Sequence, residues 1–317
     1  MTRLHWAIVL CAALGVALVP RVAAAAPFAY VPNEGSGTLA VIDVAADAVV
    51  AAIAVGEKPR GTAVDATGRF AFVAVQPASV AVVDLAARRV VRTIEVGRSP
   101  EGLSLSPDGR WLAVACEEEN AVVFVDAHSL LRAFSVPVRG RNPEHAVFSP
   151  DGRRVLVSAE DGAAVDLIDV ERREQVGQIA VGERPRGIVF AADGARAWVA
   201  AENASEVYAI DLRTLAVIGR WKAGLRGNGL ALHPDGRRLY VSNGGEATVS
   251  VLDAGTGAVL ATIPVGQRPW NMALSPDGAK LYVACGRSGT VAVIDTATRT
   301  KVAEIPVGKL PWGVAVR

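Results

Sequence analysis

Residues 228–266 read NGLALHPDGRRLYVSNGGEATVSVLDAGTGAVLATIPVG, and this stretch decides the fold. A short apolar run leads to the turn Pro234-Asp235-Gly236. The β-rich run Leu239-Tyr240-Val241 follows, then a Val/Leu run ending at Asp253, then a last apolar run closing on Gly266. Alternation and β-branched residues predict four strands, and Pro-Asp-Gly is suited to a tight reversal because Gly tolerates positive φ. The same grammar recurs along the chain. The run-ending aspartates are Asp43, Asp84, Asp126, Asp169, Asp211, Asp253 and Asp295, spaced 41–43 residues apart. A second frame follows Gly56, Gly97, Gly140, Gly182, Gly224, Gly266 and Gly308, mostly with Pro three residues later. No stretch shows capped helical periodicity.

Four-stranded units of about 42 residues are propeller blades. Residues 28–56 supply only the second, third and fourth strands of a blade, and residues 311–316 only a first strand. Together they complete one blade. The expectation is an all-β, closed seven-bladed β-propeller whose C-terminal strand joins the N-terminal strands as a velcro, leaving no open edge.

Residues 1–24 read as an export signal, with Arg3 ahead of an uncharged stretch from Ala7 to Val19 and a small-residue run at Val22 to Ala26. Pro27 disfavours cleavage directly before it, so the cut is expected after Ala24 or Ala25. Residues 25–317 then form the propeller, outside the cytoplasm, periplasmic or secreted. Leu10 before Cys11 argues against lipidation, and no other run is long enough to span a bilayer. Of 33 Lys and Arg residues, Arg3 and Arg21 lie in the export segment, leaving 31 against 32 acids. So balanced a chain is a poor nucleic-acid binder.

Tyr240-Val241-Ser242-Asn243, Tyr30-Val31-Pro32-Asn33 and the Ser-Pro-Asp-Gly turns resemble the YVTN-type β-propeller repeat over essentially the whole mature chain. That resemblance implies an exported or surface protein that binds or scaffolds. Pro100-Glu101 and Pro143-Glu144 resemble a subgroup accessory to quinoprotein-dependent alcohol oxidation.

Repetition supplies an internal control: what every blade shares serves the blade, and what departs from the repeat marks a site. The seven aspartates are therefore turn residues and not a catalytic ring. The loops rimming the channel carry a position that differs from blade to blade, running Trp312, Arg60, Glu101, Glu144, Arg186, Asn228, Trp270 around the ring. His145 and Asn271 replace a glycine found next to it in the other repeats, and Lys58, Arg184, Arg226 and Arg268 lie just before. Neighbouring loops add Glu117, Glu118, Glu119, Glu160, Asp161 and Glu202. The tryptophans suit stacking on a flat or sugar-like ligand and the arginines suit a carboxylate. Alternatively, Arg60–Glu101 and Arg186–Glu144 pair across blades and neutralise each other. The expectation is that these arginines keep both glutamates ionised.

Cys116 and Cys285 occupy the same late strand-two site in blades nearly opposite in the ring, too far apart for a disulfide. They are expected free and buried, and Trp111 and Trp221 to be packing residues. No nucleophile–base motif, haem-attachment motif or metal signature is present, so no catalytic residue, metal or cofactor is expected. The functional expectation is a monomeric, non-catalytic binding or scaffold protein with a periplasmic partner or small-molecule ligand at the channel mouth. The alternative is a propeller enzyme, either a lactonase-like hydrolase or an oxidoreductase subunit.

Overall fold

The structure, a computed structural model, describes residues 27–317; the export segment expected at 1–24 lies outside them. The described residues form seven antiparallel four-stranded sheets arranged as blades. The first blade is composite: Ala315–Val316 pairs with Phe28–Asn33, through Ala29 opposite Val316 and Tyr30 opposite Ala315. A bridge from Asn33 to Pro311 extends the closure. Blades two to seven follow in chain order, each running from its innermost to its outermost strand. The protein is a closed seven-bladed β-propeller.

There is no single core. Seven apolar clusters each fill one seam between neighbouring blades, from the first–second seam around to the seventh–first. A middle strand is therefore covered on both sheet faces, and its sequence is continuously apolar, as in Val80-Ala81-Val82-Val83, all buried. The outermost strands alternate with exposed positions because only one face meets a neighbour, as in Ala48–Ala54. Trp111 packs edge-on against Phe134 at 5.4 Å, and half-buried Trp221 packs on the fifth–sixth seam. Cys116 and Cys285 are free, fully buried and each last in its second strand. Burial pushes the thiol of Cys116 up to about 12 and that of Cys285 to about 11, so both stay protonated.

All seven strand-ending aspartates act alike: each Oδ1 accepts from backbone N–H groups two or three residues on, as Asp43 does from Ala45 and Ala46. These are Asx turns. In every blade the pairing of third and fourth strands also slips by one residue, between Val41 and Ile42 in the first and Val293 and Ile294 in the last. Such bulges strengthen strand twist, which is what splays a blade outward.

Candidate functional site

The channel mouth is built from seven copies of one backbone device. The residue just before each mouth position's Pro or Gly is non-glycine with left-handed φ: Lys58, Ser99, Asn142, Arg184, Arg226, Arg268 and Leu310, with φ between 40° and 58°. Each such residue costs about 1–3 kcal/mol of local strain that the blade must sustain. The geometry turns the chain sharply inward, so Arg184 and Arg268 and the residue two positions on face the same space. One step deeper, the innermost strands come so close that a side chain hardly fits. A Cβ on Gly187 would lie 2.6 Å from the Asn228 carbonyl oxygen, and one on Gly229 2.6 Å from that of Trp270.

His145 and Asn271 occupy this constricted ring where the other blades have glycine. In both blades four and five the ladder slips by one residue here, and pairing resumes in blade four at His145, opposite Ser158, but in blade five only at Ile188. The His145 ring crosses the channel and stacks on Trp312, with centroids 5.3 Å apart and planes 22° from parallel. Neither of its buried ring nitrogens has a hydrogen-bond partner among the described residues. Burial pulls its pKa below the ordinary value, so the imidazole is neutral at pH 7. Asn271 donates its backbone N–H to the Trp312 carbonyl at 3.3 Å. These contacts divide the channel. Above them lies a cavity of about 320 Å³. Below lies one of about 140 Å³, lined in part by His145, Thr62 and Asn271.

Arg60, Glu144, Arg186, Asn228, Trp270, Asn271 and Trp312 line the upper cavity together, as the repeat comparison expects. Glu101 does not reach it. It is fully buried behind Arg60, with which it forms an ion pair. His145 lines the lower cavity. The cross-blade pairs Arg60–Glu101 and Arg186–Glu144 both form. They belong to larger networks: Arg60 also meets Glu34 at 3.3 Å, and Arg186 meets Glu160 at 3.3 Å and Glu202 at 3.0 Å.

Glu202, wholly buried, is the hub of the second network, with Arg268 at 2.7 Å, Arg226 at 2.8 Å and Arg184 at 3.3 Å. Burial works to raise its pKa, but the guanidiniums outweigh burial and hold it at about 2. Burial likewise acts against the charged form of Glu144, and Arg186 outweighs it, so Glu144 lies below the ordinary range. Glu101 goes the other way. Burial and the charge of Glu144 push it up to about 8 despite Arg60. The expectation that the arginines keep both glutamates ionised is therefore corrected: one guanidinium does not repay complete burial next to a second carboxylate. Glu160 is partly exposed and lines the cavity; burial raises it to about 7, against Arg186 and Arg184 and with Glu144. It is a carboxyl poised to exchange protons near neutral pH.

The acidic wall has a register that the variable mouth position does not reveal. The residue directly after each second strand reads Glu34, Gln76, Glu117, Glu160, Glu202, Gly244, Gly286 around the ring. The loop acids of blades three to five are conspicuous in the sequence, yet their convergence with the arginines is not, and Glu34 carries no local signal. The glycines are part of the same pattern. A Cβ on Gly286 would lie 2.7 Å from the Trp270 ring, so Trp270 occupies the space a side chain there would fill.

Two family models match parts of the chain. One is described as Lactonase, 7-bladed beta-propeller, over residues 169–305; the other as Cytochrome D1 heme domain, over residues 27–146. No curated protein matches it. Among solved structures, hydrazine synthase of Kuenenia stuttgartiensis is 26% identical, covering 84% of this chain and 92% of that one, with a TM-score of 0.78. A Bacteroides fragilis protein provisionally described as a 6-phosphogluconolactonase is 18% identical, covering 94% and 99%, with a TM-score of 0.79. The dihydro-heme d1 dehydrogenase NirN is 18% identical, covering 91% and 74%, with a TM-score of 0.69. The lactonase family match and the likeness to hydrazine synthase correct the expectation of a non-catalytic scaffold and favour the enzyme alternative, whereas the structures under 25% identical show the fold alone. The lactonase match spans Arg184, Arg186, Glu202, Arg268 and Trp270, the blade-five to blade-seven wall of the cavity.

Proposed function

We propose that this chain, an exported propeller of YVTN-type repeats, is a lactonase-like hydrolase that opens a small lactone in the channel mouth. The observation that carries this reading is Glu160: a carboxyl raised to about 7, reachable from a cavity of about 320 Å³ and set among guanidiniums. That volume is at the lower end of ordinary small-molecule sites, roughly 300–1,000 Å³, and suits a single ring with its substituents. Ionised Glu160 takes a proton from water as the water oxygen adds to the lactone carbonyl carbon. The carbonyl electron pair moves onto its oxygen, where the guanidinium edge of Arg268 stabilises the charge. The adduct then re-forms the carbonyl and breaks the ring C–O bond. The departing oxygen takes the proton back from Glu160, and the product is a hydroxy acid. Trp270 and Trp312 offer faces for the substrate ring.

The haem-domain match implies a tetrapyrrole, and His145 is not placed to hold one. His145 has its ring face covered by Trp312, and the cavity it lines, about 140 Å³, is smaller than the roughly 300 Å³ of the smallest ordinary ligand pockets.

The test is hydrolysis of a lactone panel by the purified protein, followed as acid release, beside Glu160→Gln. Turnover above the spontaneous rate, lowered about 100- to 1,000-fold in kcat/KM by the substitution, is expected. Acid release no faster than in buffer, or an unimpaired variant, would overturn the assignment.

A further inference from the structure

We propose, resting on the hydrolase reading above, that the substrate is an unphosphorylated lactone, neutral or with at most one negative charge. The mouth looks rich in arginine, and its cations are already committed. Four guanidiniums line the cavity, those of Arg60, Arg184, Arg186 and Arg268, and four carboxylates line it with them. Arg186 spends all three nitrogens on Glu144, Glu160 and Glu202. Arg60 spends both terminal nitrogens, on Glu101 and Glu34. Arg184 spends Nη2 on Glu160 and holds Nε 3.3 Å from Glu202 without a hydrogen bond to it. Arg268 places Nη2 on Glu202. Among the described residues, Nε of Arg60, one terminal nitrogen of Arg184 and two nitrogens of Arg268 stay outside a carboxylate contact.

A phosphate monoester brings a charge of about −1.5 to −2 and three strong acceptor oxygens, and its usual hosts are uncommitted arginines or lysines and helix N-termini. The described channel has no helix apart from the three-residue turn Glu117–Glu119, which is itself acidic. A dianion here finds only the Arg268 edge and one Arg184 nitrogen uncommitted, and compensation beyond that requires displacing Glu34 or Glu160 from its arginine, which is unfavourable in a site partly shielded from water. A polyol lactone meets a different surface. Carboxylate oxygens held in place by their arginines accept from its hydroxyls, Asn228 lies in the same wall, and the tryptophan faces cover its C–H side. Neutralised pairs of this kind bind hydroxyls well and phosphate poorly.

The experiment compares kcat/KM for glucono-δ-lactone and its 6-phosphate, and separately the binding of the two product acids, gluconate and 6-phosphogluconate, by calorimetry. A preference for the unphosphorylated member of roughly 100-fold is expected in each comparison, the size set by an uncompensated like-charge contact. Glu34→Gln, which releases one Arg60 nitrogen, is expected to narrow the gap about tenfold, one charge-assisted hydrogen bond. Equal or better handling of the phosphorylated member overturns the inference and leaves the hydrolase assignment intact. If neither lactone is turned over, the hydrolase assignment fails, and the product-acid comparison still decides the charge preference: tighter 6-phosphogluconate overturns it, tighter gluconate upholds it.

Discussion

The two faces of the ring use the same sevenfold backbone in opposite ways. On one face, Asp43 through Asp295 repeat one act in seven places, each carboxylate accepting N–H groups from its own turn. On the other face, seven equivalent positions hold Trp312, Arg60, Glu101, Glu144, Arg186, Asn228 and Trp270, and their charges are satisfied between blades rather than within them. A local Asx turn is indifferent to its neighbours, so it can be copied. A cross-blade network depends on what the next blade offers, so it cannot. Repetition therefore marks scaffold, and its failure marks the place where neighbouring blades were fitted to each other.

The sharpest way to break this contrast is Glu202→Gln. Arg184, Arg186, Arg226 and Arg268 then lose their buried counter-charge, and urea unfolding should show a loss of roughly 3–5 kcal/mol. The same carboxylate gives the network a pH window. With its pKa lowered from 4.5 to about 2, its contribution is complete above the ordinary glutamate value and is lost as pH falls through 2. Acid unfolding of the wild type should show that loss, and the variant should not.

Next in size is the pH dependence of turnover. Glu160 must be ionised to take a proton from water, so kcat/KM should fall about tenfold per pH unit below its value of about 7. A profile flat from pH 5 to 8 would remove Glu160 from the chemistry. Smaller still is Gly286→Ala. The new methyl group displaces the Trp270 ring, and KM should rise roughly three- to tenfold, about 1 kcal/mol of lost stacking, with kcat little changed. The smallest effect belongs to the opposite face. Asp126→Ala removes acceptors for the His128 and Ser129 N–H groups and should lower Tm by about 1–2 °C, with kcat/KM unchanged. A loss as large as that of Glu202→Gln would erase the distinction between the two faces.

Much of this was legible beforehand. The blade count, the composite closure, the turn role of the aspartates and the unpaired cysteines all follow from position within the repeat. Of the nine mouth residues that depart from the repeat, seven line one cavity, and Glu101 and His145 do not. The failures are of one kind. A glutamate read alone has no pKa, so neither the raised Glu101 nor the near-neutral Glu160 could be read from neighbours along the chain. Their shifts come from burial and from charges in other blades. The scaffold expectation rested on the absence of a nucleophile motif, and the lactonase family match over residues 169–305 overturned it. Glu34 was missed because it meets Arg60 only through the ring.

By itself the sequence determined what repeats: strand periodicity, turn chemistry and the apolar middle strands follow from neighbours within one blade, since a period-2 pattern and an Asp-Gly turn act over a few residues. Only the tertiary structure decided what converges. The bulge in every outer strand pair, the left-handed residue ahead of each mouth position, the His145–Trp312 stack across the channel and the four arginines around Glu202 depend on the angle between blades. That angle is set where seven seams close at once, and no single repeat contains it.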